Sequence, residues 1–283
     1  MLSHFKSIAV FLDETEAGSR LGACAAAIAQ RQKSHLIGIY GMTSAATEQS
    51  LHTYARGPGA ISSMIEHQRT VNEEKVLLAG RHFGKLSRQF DISSEFRVTW
   101  IDQDHKDVFL HSLHCDLVIL GHPKPHGIPE NWTADRLLRE TGMPTLIVPD
   151  GSSEKSVGER VLIAWNAKRE ARRAITDAMP FIASAKEVMV LVIDASTEKY
   201  PFGQEPGADV ALMLARHGAG VTVQQVESEC ESIGDVILAQ SAKRNANLIV
   251  LGARSHARST EIFFGGVTRT MLAKSGTPML MSR

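Results

Sequence analysis

The chain has no excess of charge of either sign: 31 Lys and Arg stand against 31 Asp and Glu in 283 residues. That excludes a bulk electrostatic pull toward nucleic acid or an anionic membrane, though not a local patch. Long apolar runs are also missing. None approaches the ~20 residues that a helix needs to cross a bilayer. The opening MLSHFKSIAVFLDET carries one Lys and then an Asp-Glu pair, which is not the form of a secretory signal. Cysteine is scarce. Cys24, Cys115 and Cys230 are scattered and odd in number, so no disulfide framework is expected. These absences predict a cytoplasmic chain with buried, reduced thiols and with neither nucleic acid nor membrane as partner.

Catalytic signatures are missing as well. There is no G-x-S-x-G turn to hold a strained nucleophile, and no G-x-x-x-x-G-K-[ST] phosphate loop. His111-x-x-His114-Cys115 has a one-turn spacing that a metal could use. Cys115 directly precedes an apolar strand pattern, however, and no second ligand cluster accompanies it. No catalytic residue and no metal site is expected.

What the sequence does contain is alternation. Apolar runs predict strands at 7–12, 36–40, 96–100, 116–120 and 145–148, then at 161–165, 187–193, 221–226, 247–251 and 279–281. Helical patterns predict helices at 19–33, 61–90, 107–114 and 132–139, then at 167–182 with a break near Pro180, and at 209–217, 232–244 and 267–274. The polar stretch GSSEKSVG, residues 151–158, reads as a linker. The two sides of it match. CDLVILG (115–121) parallels ANLIVLG (246–252), and RLLRETGMPTLIVP parallels TMLAKSGTPMLMS. Two chance patterns would not agree in order and spacing. Strands alternating with helices predict an α/β fold, built as two tandem five-stranded parallel sheets with helices on both faces. The predicted domains are 1–150 and 151–283. Ligands on such sheets sit beyond the carboxyl ends of the strands, where the strand order switches.

One stretch has the layout of an anion site: LIVLGARSHARSTEIFFGGVTRTML, from Leu248 to Leu272. A strand ends at Gly252, a loop follows, and Gly265-Gly266 lead into a helix start at Val267-Thr268. Glycines let backbone N–H groups approach a phosphate, and a helix start supplies unpaired donors. The competing reading is an ordinary strand-to-helix turn. Arg254 and His256 add positive charge to this loop, and solvated loop charge is the alternative for both.

These residues resemble the universal stress proteins (UspA-like) in their tandem two-domain form. The resemblance covers nearly the whole chain and is densest at GARSHARSTEIFFGGVTRTMLAKSGTPMLM. Nucleotide-binding members carry a Gly, two residues, a Gly, nine residues, then Gly-Ser or Gly-Thr and Val. This chain has Gly252, two residues, Ser255, nine residues, then Gly265-Gly266-Val267-Thr268. The spacing is kept while Ser255 and Gly266 depart from the pattern. The family has an Asp at its first strand end, where the second half has Asn166. The resemblance implies a Rossmann-like fold of the adenine nucleotide alpha hydrolase type. It implies a stress-response module that binds an adenine nucleotide (ATP, ADP or AMP, with Mg2+ for ATP) in its second domain. Asn166 and Val192 would lie at the nucleoside, and Gly252, Arg254, Ser255, Gly265, Gly266, Val267 and Thr268 at the phosphates. In the first half Asp13 is retained, but Asn131 and Trp132 align with the glycine pair, which implies a degenerate site. The resemblance also implies pairing of the last strands of the two halves, as a homodimer or as a pseudo-dimer within one chain. Two alternatives stay open: a structural stress protein with vestigial sites, and an ATP-hydrolysing or adenylyl-transferring enzyme with Asp194 as the nearest carboxylate for Mg2+.

Overall fold

The apolar runs assemble into one sheet whose two faces are buried by different helices. A computed structural model of the chain describes residues 4–43, 58–101, 111–122, 137–138, 141–152, 157–195, 205–253, 255–256 and 263–283. In chain order the elements are β1 (Ser7–Leu12), α1 (Glu16–Gln32), β2 (His35–Thr43), α2 (Pro58–Phe90), β3 (Ser94–Ile101), β4 (Leu117–His122) and β5 (Thr145–Pro149). They continue with β6 (Arg160–Trp165), α3 (Arg169–Asp177), α4 (Met179–Ile182), β7 (Glu187–Ile193), α5 (Ala208–Arg216), β8 (Val221–Val226), α6 (Ile233–Lys243) and β9 (Leu248–Gly252). Last come β10 (Ser255–His256), β11 (Phe263–Phe264), α7 (Gly266–Lys274) and β12 (Met279–Ser282).

Ten strands form the sheet in the order β3-β2-β1-β4-β5-β12-β9-β6-β7-β8. Every pairing is parallel except the central one. There β12 runs antiparallel to β5, with Met279 opposite Ile147 and Met281 opposite Thr145. The sheet is therefore two five-stranded parallel halves joined back to back. Because the junction is antiparallel, the carboxyl ends of the two halves point to opposite ends of the sheet. The strand order switches between β1 and β4 in one half and between β6 and β9 in the other.

Alternation along each strand assigns its residues to the two faces. Ile8, Val10, Ile119 and Leu146 of the first half face the same side as Val161, Ile163, Val190 and Leu280 of the second. α1, α2, α3, α4 and α5 close that side, and its core runs unbroken across the junction. Phe5 meets Phe181 with ring centroids 5.4 Å apart. Arg31 donates to the Val157 carbonyl and lies over the Phe181 ring at 5.7 Å. On the other side of the second half, Leu162, Leu191, Ile249 and Met281 pack with Ile237 of α6 and Met271 of α7.

The same local device fixes both halves. Asp116 Oδ2 accepts from the Lys6 and Ser7 N–H groups at 2.6 and 3.0 Å. Its counterpart Asn247 accepts through Oδ1 from Gly158 and Arg160 at 3.2 and 2.9 Å. Each staples the start of a first strand to the strand beside it.

Several expectations shift by local physics. The helix predicted at 167–182 divides at Ala178, which ends α3 and begins α4. Pro180 falls in the first turn of α4, where its missing N–H costs nothing. Residues 111–114 form a turn, while 107–110 lie outside the described residues. The helix predicted at 132–139 also lies outside them, apart from residues 137–138. Cys24 and Cys115 are buried as expected, but Cys230 is exposed. Among the described residues no helix is long and apolar enough to cross a membrane.

Candidate functional site

The second switch point lies between the ends of β6 and β9. β6 ends at Trp165, and Asn166 follows in an exposed position. Its Oδ1 accepts from the Lys168 N–H at 3.2 Å. Lys168 is the N-cap of α3 and makes no side-chain cap bond. On the neighbouring strand, Gly252 is pressed against the start of this helix. A Cβ on Gly252 would lie 2.5 Å from the Ala171 nitrogen and 2.5 Å from the Glu170 carbonyl carbon. The first glycine of the stretch is thus demanded by helix-on-strand packing.

The chain then forms a small antiparallel ribbon, with Ser255 opposite Phe264 and His256 opposite Phe263. Arg254 and Arg258 lie outside the described residues. The ribbon delivers the chain to Gly265, the N-cap of α7, which has φ −61° and ψ 159°. Having no side chain, Gly265 offers no cap, and the first turn of α7 holds no acidic residue. The first N–H groups of a helix have no acceptor within it, and the dipole makes this end positive. Gly266 is exposed, and a Cβ built on it would meet none of the described residues within 4 Å. Gly266 itself places no side chain over the backbone at this turn. Val267 is half-buried against the Met271 side of the core, and Thr268 is 3% exposed. The Thr268 side chain belongs to the interior, and the donors presented outward here are backbone groups.

Two other expected residues take different places. Val192 is fully buried in the shared core, so only its backbone can line a crevice. Asp194 sits just past β7 with φ 55°. Its Oδ1 accepts from the Ser228 N–H at 2.7 Å and its Oδ2 from Ser228 Oγ at 2.8 Å. Both carboxylate oxygens are engaged in tying the end of β7 to the segment after β8.

The first switch point carries more than the strand-end residues Asp13 and Gly121 that the sequence picks out. A cavity of about 200 Å³ opens there, lined among others by Asp13, Gly18, Cys24, Gly121 and Pro149. Asp13 is 5% exposed. Its Oδ1 accepts from the Thr15 N–H at 2.9 Å and the Thr15 hydroxyl at 2.6 Å, while its buried Oδ2 has no partner among the described residues. Arg20 and Asp150, both lining this cavity, form a two-pronged ion pair, with Nε–Oδ1 at 3.0 Å and Nη2–Oδ2 at 3.0 Å. Their separation of 130 residues left no signal in the sequence. Asn131 and Trp132 lie outside the described residues.

Burial pushes the Cys115 thiol up. Burial also lowers Arg31, partly countered by Glu159. A hydrogen bond from Lys274, then one from Ser232, hold the Asp235 carboxyl below the usual aspartate range. Among the described residues no group of three or more His, Cys, Asp or Glu could hold a metal ion.

Comparison with known proteins bears on the same half. The model of the universal stress protein family matches residues 159–283. No curated protein matches the chain. Among solved structures, a universal stress protein from Archaeoglobus fulgidus DSM 4304 is 16% identical, with 98% of each chain covered and a TM-score of 0.68. A functionally unknown protein from Pseudomonas aeruginosa PAO1 is 17% identical, with 99% of this chain and 93% of that chain covered and a TM-score of 0.59. Likeness at such identities establishes the fold over the whole chain.

Proposed function

We propose, from the match of the universal stress protein family model to residues 159–283, that the chain is a stress-response binding module whose second half takes an adenine nucleotide. The division into domains 1–150 and 151–283 is part of this reading, with the two acting as a pseudo-dimer through β5 and β12. The module is not an enzyme. One observation carries the nucleotide reading: α7 begins at an uncapped, acid-free glycine pair whose second member has none of the described residues near its missing Cβ. Phosphates would sit on the N–H groups of Gly266 and Val267, with Gly265 shaping the turn. Mg2+ accompanying ATP would be held mainly by the phosphates, because Asp194 already accepts from Ser228 through both oxygens.

The test is direct. Freshly purified protein is denatured and the released small molecules are separated by chromatography, then the emptied protein is titrated with ATP. ATP, ADP or AMP near one per chain supports the reading. No released nucleotide, with no binding at millimolar ATP, sinks it.

A second reading is favoured by the cavity at the first switch point. There a buried carboxylate with one oxygen unpartnered among the described residues lines a space of about 200 Å³. In that case the first half holds the ligand and the second is vestigial. Retention of bound nucleotide after Gly266→Asp would favour this alternative.

A further inference from the structure

The two switch-point turns share one register but not their side chains. Ile8 pairs with Leu117 as Val161 pairs with Leu248. Asp13, Thr15 and Gly18 therefore correspond to Asn166, Lys168 and Ala171. The helices begin at corresponding residues, Glu16 and Arg169. Asp13 and Asn166 even make the same local bond, each accepting from the N–H two residues on, at 2.9 and 3.2 Å.

Their burial is nevertheless opposite. Asp13 is 5% exposed, and Asn166 faces solvent. The difference traces to Gly18. A Cβ there would stand 2.1 Å from Asp13 Oδ1 and 2.6 Å from the Asp13 carbonyl oxygen. The carboxylate thus occupies the volume that any side chain at position 18 would fill. Ala171 has that Cβ and is itself 3% exposed. The Thr15 hydroxyl that holds the carboxylate is replaced by Lys168, which makes no cap. Between them, Ala167 takes φ 53°, a left-handed conformation unfavourable for a residue with a Cβ. The second turn has left the path that the first one follows.

We infer that Ala171 determines what the second crevice can read. Its methyl group fills the seat that Gly18 leaves to a carboxylate, so residue 166 stands outside and β6 ends without an inward acceptor. The site recognises the polyphosphate end of its ligand and discriminates little among nucleosides. This rests on the nucleotide reading above and narrows its ligand class to polyphosphates.

Calorimetric titration of the emptied full-length chain with ATP, GTP and inorganic tripolyphosphate, each with Mg2+, tests this. A carboxylate accepting from a ligand N–H or O–H is worth about tenfold in affinity. Without one, the three affinities of the wild type should fall within about threefold of each other. The triple variant N166D/K168T/A171G should gain about tenfold for ATP over tripolyphosphate, and N166D/K168T alone should not. A wild-type preference of about tenfold or more for ATP over tripolyphosphate overturns the inference and leaves the nucleotide reading standing. So does an equal gain in N166D/K168T, because Ala171 would then decide nothing. Failure of all three ligands to bind at millimolar concentration overturns both. Gly266→Asp should abolish binding of all three; binding that survives it belongs elsewhere and overturns the inference.

Discussion

Gly252 and Ala171 approach so closely that a Cβ on the glycine would stand 2.5 Å from the alanine nitrogen. The start of α3 rests on the end of β9 with no room for a side chain between them. Gly252→Ala should therefore destabilise the fold by about 1–3 kcal/mol, the cost of forcing extra volume into a packed site. Urea unfolding measures this, and an unchanged midpoint would show that α3 can move aside.

Gly266 makes the opposite case, since none of the described residues lies near its missing Cβ. An acidic side chain in the first helical turn interacts favourably with the helix dipole, by about 0.3–1 kcal/mol. Gly266→Asp should hold or raise the melting temperature while repelling a phosphate. Stability and nucleotide affinity should thus move in opposite directions, which calorimetry and a titration on one sample would check.

Phe181 joins the halves, packed against Phe5 and beneath Arg31. Phe181→Ala should cost about 3–5 kcal/mol. Because the core is continuous across the junction, the loss should not stay in one half. Hydrogen exchange should show β1 and β6 amides losing protection together. Loss confined to β6 would mean that the halves unfold separately.

Cys230 is exposed and has φ 136°, whereas Cys24 and Cys115 are buried. Burial holds the Cys115 thiol protonated, and the thiolate is the reactive form. One thiol per chain should react with a disulfide reagent under native conditions and three after unfolding. Cys230→Ser should remove the native reaction.

Asp235 accepts from Lys274 Nζ at 2.8 Å and from Ser232 Oγ at 2.7 Å, tying α6 to α7. Its folded carboxyl lies below the usual range. A depressed carboxylate contributes stability above its unfolded value, about pH 3.9, and loses it as pH falls through the folded value. Asp235→Asn should lower the melting temperature slightly at neutral pH. The gap from wild type should close as pH falls through the folded value of the Asp235 carboxyl. A gap that widens in acid would contradict this assignment.

The sequence by itself determined the repeat and the ten main strands. Those follow from local alternation, which is why Asp116 and Asn247 could be matched before either was seen to cap a strand start. It also located the glycine pair before α7, because a helix start is a local event. Tertiary structure decided what each motif residue does. Gly252 proved to be a packing glycine because α3, some eighty residues earlier in the chain, returns to lie on it. Thr268 and Val192 turned inward because strand and helix docking fixed their faces. Asn166 stands exposed where Ala171, five positions along the chain and in the first turn of α3, carries a methyl group. Asp13, with the same local hydrogen bond, was buried because Gly18 has no methyl group. Spacing in a sequence carries no record of which volume is already filled, and at these two turns that volume separates a buried carboxylate from an exposed amide.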